Sequence, residues 1–96
     1  MKYFHRTSIT PDAAVRAAAT YFGARMSPME EGARRRRFSS AIGQVSVSVQ
    51  AEGGHYTLIT VETNQPGESE IDRVAKRFLS EVHTLADSSH VVRGAY

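Results

Sequence analysis

Among the side chains of this 96-residue sequence that could bind a ligand or act in catalysis, four consecutive arginines are the most conspicuous group: Arg34, Arg35, Arg36 and Arg37. Guanidinium groups bind phosphate and carboxylate oxygens through paired hydrogen bonds, so the run predicts a site for a polyanion such as nucleic acid. The opposing interpretation is a solvated strand edge, whose charges discourage pairing with another sheet. The net charge of +2 is low for a nucleic-acid-binding protein and favours the strand edge.

No other set of polar side chains has the spacing of a catalytic or metal site. The histidines occur singly, at His5, His55, His83 and His90. The serines are accompanied by neither a Gly-x-Ser-x-Gly nor a Ser-x-x-Lys motif. The sequence has no cysteine, which excludes disulfides, zinc thiolates and thiol nucleophiles. We therefore expect no catalytic residue, metal or cofactor, and an enzyme is the least favoured class.

Length and composition predict one small domain. Residues 1–88 are expected to form a single α+β domain, and residues 89–96 a C-terminal tail that is frayed or docked. The first residues lack the apolar run of a secretion signal, and no stretch approaches the ~20 apolar residues of a membrane span. We therefore expect a cytoplasmic protein. A core this small leaves little room for the ~300 to 1,000 Å³ pocket of a typical ligand site.

The arginine run is expected to be held by a strand of a β-sheet. The run leads into a predicted strand over residues 35–41, and the clearest strand signal follows it. From Val45 to Ala51, apolar residues alternate with polar ones, which predicts a strand with one apolar face. A second strand, over residues 55–63, comes after a Gly-Gly turn, so the two form a hairpin.

The two faces of this hairpin differ in chemistry. An odd-numbered loop collects the apolar side chains of both strands on one face. The predicted register then pairs Val45 with Val61, Val47 with Ile59 and Val49 with Thr57. The opposite face carries Ser46, Ser48, Tyr56 and Leu58. A tyrosine and a leucine among serines indicate that this face is partly covered by another surface.

A strand and a helix precede the arginine run. Residues Lys2–Ile9 alternate polar and apolar side chains as a strand does. Thr10 and Pro11 then cap and begin a helix, which is expected to end at Gly23 because glycine readily adopts the left-handed conformation. Residues 24–32 show no periodicity, and we expect an exposed, mobile loop there.

A long helix follows the hairpin. Ser69 and Asp72 form a capping arrangement at its start, and apolar residues recur at helical spacing from Ile71 to Leu85. Asp72 and Lys76 lie four residues apart and predict an exposed ion pair. Together the elements predict an α+β fold in the order β-α-β-β-β-α. It has a single antiparallel sheet of about four strands and two helices packed on one face.

Two stretches resemble known families. Arg6–Ile9 followed by Thr10–Val15, together with a long C-terminal helix, resembles the ends of the helix-grip proteins of the polyketide cyclase and START-like superfamily. That resemblance implies binding of a small hydrophobic ligand, although the chain is too short for all the strands usual in that family. The segment Phe38–Val47, between two helices, is similar to the small polyhydroxyalkanoic acid system proteins, which are associated with storage granules. Neither resemblance implies catalytic residues.

The leading functional hypothesis is a small non-catalytic protein-protein interaction or assembly module, either oligomeric or a subunit of a larger complex. Its predicted contact residues are those of the serine face: Ser46, Ser48, Tyr56 and Leu58. The alternatives are polyanion binding through the run from Arg34 to Arg37 and helix-grip-like binding of a small hydrophobic ligand.

Overall fold

Seven elements within the described residues form one antiparallel sheet with two helices against one of its faces. The computed structural model describes the backbone of residues 1–94 and the side chains of residues 1–86. The elements in chain order are β1 (Lys2–Thr7), α1 (Pro11–Gly23), β2 (Ser27–Glu31), β3 (Arg35–Ser40), β4 (Gly43–Glu52), β5 (Tyr56–Thr63) and α2 (Glu70–Gly94). The strand order is β1-β5-β4-β3-β2. The predicted α+β class is confirmed, but the sheet has five strands rather than about four.

The additional strand, β2, occupies part of the segment that the sequence predicts to be a mobile loop. It lies at an edge of the sheet, pairs with β3 and is exposed along its whole length. A bulge interrupts its pairing between Pro28 and Glu30. Proline lacks the backbone donor of a sheet ladder and is tolerated at such edges, and a fully exposed strand needs no apolar alternation. β2 therefore carries no periodic signal in the sequence.

β1 pairs antiparallel with β5, so the first strand of the chain lies beside the last. Its predicted alternation is confirmed from Lys2 to Thr7, but the strand ends at Thr7 rather than at the predicted Ile9. Tyr3, His5 and Thr7 are cross-strand partners of core-facing residues of β5 and share their side of the sheet. Phe4 and Arg6 point to the other side and are exposed.

α1 begins as its sequence predicts, but it ends differently. The hydroxyl of Thr10 accepts a hydrogen bond from the backbone N–H of Ala13 at 3.1 Å. The expected left-handed conformation at Gly23 is wrong, because Gly23 belongs to the last helical turn and has no positive φ. Ala24 instead donates its N–H to the carbonyl oxygen of Thr20 at 3.2 Å. Hydrogen bonds from the residues after the helix satisfy its last carbonyl groups, so no left-handed residue is required.

The hairpin of β4 and β5 has the predicted faces, but the predicted register is wrong by two residues. The observed pairs are Val45 with Thr63, Val47 with Val61 and Val49 with Ile59. The loop consists of Gly53, Gly54 and His55, and the two glycines have φ values of 63° and 76°. Alternation fixes only the face that a residue occupies, whereas the position of the left-handed glycines fixes the register.

α2 begins at the predicted cap and continues beyond the predicted apolar stripe. The hydroxyl oxygen of Ser69 accepts the backbone N–H of Asp72 at 3.3 Å. Lys76 Nζ lies 3.2 Å from Asp72 Oδ2, as predicted, but Asp72 is buried rather than exposed. The helix runs to Gly94. Docking of the predicted tail at residues 89–96 falls outside the described side chains.

The core lies between the sheet and the helices. Phe22 of α1, Phe38 of β3 and Phe78 of α2 meet there and are almost fully buried. The ring centroid of Phe22 lies 5.0 Å from that of Phe78 and 5.5 Å from that of Phe38. Because α1 and α2 both pack on this side, neither of them covers the other face of the sheet. Within the described part of the chain, no helix is both long enough and apolar enough to cross a membrane.

Candidate functional site: the open face of the sheet

The sheet face turned away from the helices is the candidate functional site, and we name it the open face. Its side chains include Lys2, Phe4 and Arg6 of β1, Tyr56, Leu58, Thr60 and Glu62 of β5, Ser46, Ser48 and Gln50 of β4, Arg35 and Arg37 of β3 and Glu30 of β2. They point outward because the alternate residues of the same strands face the core. Hydroxyl, guanidinium, carboxylate and aromatic groups thus share one surface.

The arginine run is divided by its strand. Arg35 and Arg37 are the cross-strand partners of Ser48 and Ser46, which places both on the open face. Arg36 pairs with the buried Val47 on the helix side. Because alternate residues of a strand face opposite sides, only part of the run can share one face, and that part is Arg35 and Arg37. The sequence did not indicate which pair it would be.

Nearby carboxylates neutralise three of the four arginines. The ion pairs are Arg34 with Asp12 at 2.6 Å, Arg35 with Glu30 at 3.9 Å and Arg36 with Glu31 at 3.6 Å. Within the described residues Arg37 forms no ion pair. The positive charge of the run is consequently much smaller than its sequence suggests, and Arg37 is the guanidinium with most capacity for an outside partner.

The four predicted interface residues lie on the open face, and an aromatic residue that the sequence did not single out lies there too. Ser46 and Ser48 are half-buried, as is Leu58, and Tyr56 is exposed at the start of β5. Phe4 of β1 is the partner of Thr60 and is also exposed. The alternation of β1 already placed Phe4 opposite Tyr3 and His5, but only the pairing with β5 brings it to this face.

A row of side chains, most of them charged, crosses the open face from edge to edge. The cross-strand partners, in order from β1 to β2, are Lys2, Glu62, Ser46, Arg37 and Glu30. Arg37, Ser46 and Glu62 are among the residues that line a shallow depression of about 230 Å³. The charges of the row alternate in sign on either side of a central serine.

No family model matches this chain, and no curated protein matches it. The resemblances to the helix-grip and polyhydroxyalkanoic acid system proteins therefore stay predictions.

A buried carboxylate on the helix side organises the start of α2. The hydroxyl of Tyr3 donates to Asp72 Oδ1, and the backbone N–H of Glu68 donates to Asp72 Oδ2 at 3.0 Å. The hydrogen bond from Tyr3 lowers the pKa of Asp72 against the opposing effect of burial, and the same bond raises the pKa of Tyr3. Both oxygens of this carboxylate are engaged with the chain's own donors, so the cluster fastens β1 to α2.

The histidines of the described part of the chain do not assemble a metal site. The rings of His5 and His83 approach edge to face, with centroids 6.3 Å apart. Burial, and secondarily the charge of His83, lower the pKa of His5. His55 lies in the β4–β5 loop, and the side chain of His90 falls outside the described residues. Among the described residues, no group of three or more metal-binding side chains occurs.

A second depression lies between the two helices. It has a volume of about 640 Å³, opens to solvent and is lined by residues that include Ala13, Ala17, Tyr21 and Leu85. The guanidinium of Arg25 stacks over the ring of Tyr21, 3.8 Å from its centroid, and borders the same groove. The binding of a small hydrophobic ligand, which the helix-grip resemblance implies, stays a prediction.

Proposed function

We propose that this protein is a small non-catalytic interaction module that binds protein through the open face. The observation that carries the proposal is the exposure of two aromatic side chains there: Phe4 is 63% exposed and Tyr56 is 57% exposed. Antiparallel sheets that face water on one side normally carry polar residues on that side. Large exposed apolar groups rimmed by polar ones are typical of protein contacts.

The composition of the open face supports the same proposal. Aromatic residues and arginine are enriched at protein interfaces, and the open face combines Phe4, Tyr56, Arg35 and Arg37 with small hydroxyl side chains. The half-buried Leu58 lies on β5 next to Phe4 and Arg6 of β1. This arrangement gives a contact surface an apolar part and a charged border on one face of the sheet.

Substitution of Leu58 by lysine tests the proposal. Leu58→Lys places a strongly hydrated charge on the open face, and we expect it to abolish self-association or partner binding while the protein stays folded. The matched control is Leu85→Lys, at another half-exposed leucine, which lies in the groove between the helices. Sedimentation measures self-association, and affinity purification from native cells with a tagged chain measures partner binding. Loss of contacts in the control alone, or no contact with wild type in either assay, would contradict the proposal.

Polyanion binding is the second candidate function. The observation that favours it is that Arg35 and Arg37 share the open face with the hydroxyls of Ser46 and Ser48. These groups all bind phosphate oxygens. The ion pair of Arg35 with Glu30, and the presence of Glu62 beside the same serines, make it the weaker candidate.

A further inference from the structure

The charged row on the open face is self-complementary. Its five positions carry the charges plus, minus, none, plus and minus in the order Lys2, Glu62, Ser46, Arg37 and Glu30. When the row is read from the other end, the sign of the charge is inverted at each of the four charged positions. Such antisymmetry about a central uncharged residue allows two identical surfaces to place opposite charges together at all four charged positions.

Rotation by 180° about an axis that runs along β4 reverses the order of the row across the sheet. When two copies stack face to face about an axis that runs along β4 through Ser46, β5 of one copy lies over β3 of the other, and β1 lies over β2. Glu62 then faces Arg37 of the second copy, and Lys2 faces Glu30 of the second copy. A two-fold interface repeats each of these contacts twice.

The size and shape of the open face suit this arrangement. Its five strands contain 6, 5, 6, 10 and 8 residues. With strands about 4.8 Å apart and about 3.3 Å per residue, the face covers about 550 Å², or about 1,100 Å² for two copies, which reaches the lower range of specific interfaces. Ser46 and Ser48 lie on the axis between Gln44 and Gln50 of the same strand, and their small side chains allow two sheets to approach at that point. Stacked sheets with strands aligned to within about 30° are a common form of sheet packing.

The alternation of charge also discriminates between occupants. A polyanion laid along the row would place its phosphates against Glu62 and Glu30 as well as against Arg37 and Lys2. The row as a whole has no net charge, so it offers no electrostatic attraction to a uniformly negative chain. A surface with the same alternating charges in reverse order satisfies every position.

We propose that the occupant of the open face is a second copy of this chain, related by a two-fold axis along β4, with Glu62 of each copy opposite Arg37 of the other. This inference rests on the proposed function, since it names the protein that the open face binds. It adds the identity of the partner, the symmetry and the pairing of charges.

Two charge reversals, studied singly and mixed, test the inference. In a homodimer of Arg37→Glu, the new carboxylate at position 37 lies against Glu62 of the second copy, and in a homodimer of Glu62→Arg two guanidinium groups lie together. Each variant alone should therefore dimerise about ten-fold more weakly than wild type, or worse. An equimolar mixture should form a heterodimer about ten-fold tighter than the homodimer of either variant, because both of its crossed contacts then join a carboxylate to a guanidinium group. Glu62 of one variant faces Arg37 of the other, and the carboxylate introduced at position 37 faces the guanidinium introduced at position 62. Analytical ultracentrifugation and native mass spectrometry measure the three states.

The matched control is the same crossed design on the exposed side of α2. Arg73→Glu and Glu81→Arg reverse charges away from the open face, and they should dimerise like wild type both alone and mixed. If Arg37→Glu fails to fold, judged by circular dichroism, the outer pair Lys2→Glu and Glu30→Lys provides the same test at two exposed positions.

The outcomes separate this inference from the proposed function. A wild-type protein that is monomeric at high concentration, yet binds a different protein or a polyanion in a manner sensitive to Leu58→Lys, overturns the second copy as occupant. A dimer in which the single variants associate as well as wild type, or in which their mixture does not recover, overturns the two-fold pairing. A dimer unaffected by Leu58→Lys and by both charge reversals overturns the open face as a contact surface altogether.

Discussion

Asp72 joins β1, the loop before α2 and the first turn of α2 through one buried carboxylate. Its pKa is lowered chiefly by the hydrogen bond from Tyr3, with further contributions from the backbone N–H of Glu68 and from Lys76. A carboxylate whose folded pKa lies below its unfolded value of about 3.9 stabilises the fold fully above that value. The stabilisation is lost as the pH falls from the unfolded pKa through the folded pKa.

We therefore expect the difference in unfolding free energy between wild type and Asp72→Asn to be greatest near neutral pH and to shrink as the pH falls below about 4. Urea unfolding at a series of pH values measures this difference. Tyr3→Phe is the informative companion, because it removes the principal cause of the lowered pKa and should reduce the acid-dependent part. A difference that is the same at neutral and at strongly acidic pH would show that Asp72 does not titrate as described.

The sequence predicts individual contacts between near neighbours, but it does not predict those between distant residues. The cap at Thr10, the cap at Ser69 and the ion pair of Asp72 with Lys76 depend on neighbours within four residues, and all three form. The burial of Asp72 depends on Tyr3, which is 69 residues away in sequence. Local spacing predicts a contact between near neighbours, but it does not indicate what covers that contact.

Phe78 is the largest buried side chain that α2 contributes to the core. It is 1% exposed and its ring contacts those of Tyr21 and Phe22 on α1. We expect Phe78→Ala to lower the free energy of unfolding by about 3 to 5 kcal/mol, since it removes a large buried side chain and leaves a cavity. Thermal and urea unfolding measure the loss.

A second truncation on the same helix serves as its control. Leu85 is 50% exposed, and Leu85→Ala should change the free energy of unfolding by no more than about 1 kcal/mol. If Phe78→Ala is as mild as Leu85→Ala, the apolar stripe of α2 does not form the core contact described.

Among the helices and strands, the sequence predicts those that bury one apolar face, and it misses the one that buries none. Both helices and the strands β1, β4 and β5 bury one face, so each leaves a period of 3.6 or 2 in the sequence. The edge strand β2 buries neither face and leaves none. The hairpin register depends on Gly53 and Gly54, and a two-residue shift leaves the same side chains on the same faces, so the apolar pattern alone does not distinguish the two registers.

The open face exists only at the scale of the whole molecule. Its residues come from five strands spread over residues 2 to 62, and the sheet order brings β1 beside β5. The sequence predicts the serine face of one hairpin, because β4 and β5 are neighbours along the chain. Phe4 and Lys2 reach this face, and Lys2 lies beside Glu62, only because β1 pairs with β5. The alternation of residues in β1 does not indicate which strand it pairs with.

Salt dependence distinguishes the two candidate functions of the whole surface. If the open face binds a polyanion, Arg35→Gln with Arg37→Gln should flatten the slope of log affinity against log salt by about 0.9 for each lost phosphate contact. The matched control is Arg34→Gln with Arg36→Gln, whose guanidinium groups pair with Asp12 and Glu31 instead. Heparin and duplex DNA are suitable probes. If wild type binds neither in a salt-dependent manner at low ionic strength, the polyanion candidate is wrong.

The position of β1 has a consequence for the order in which the chain folds. The amino terminus of Met1 donates a hydrogen bond to the carbonyl oxygen of Thr63 at 3.2 Å across 62 residues, whereas β2 to β5 form a meander between sequence neighbours. Closing so long a loop carries an entropic penalty that local hairpins avoid. During synthesis on the ribosome, β1 emerges before β5 and remains without its partner until β5 has been made. We therefore expect the meander to form early, and the docking of β1 with the start of α2 to complete folding.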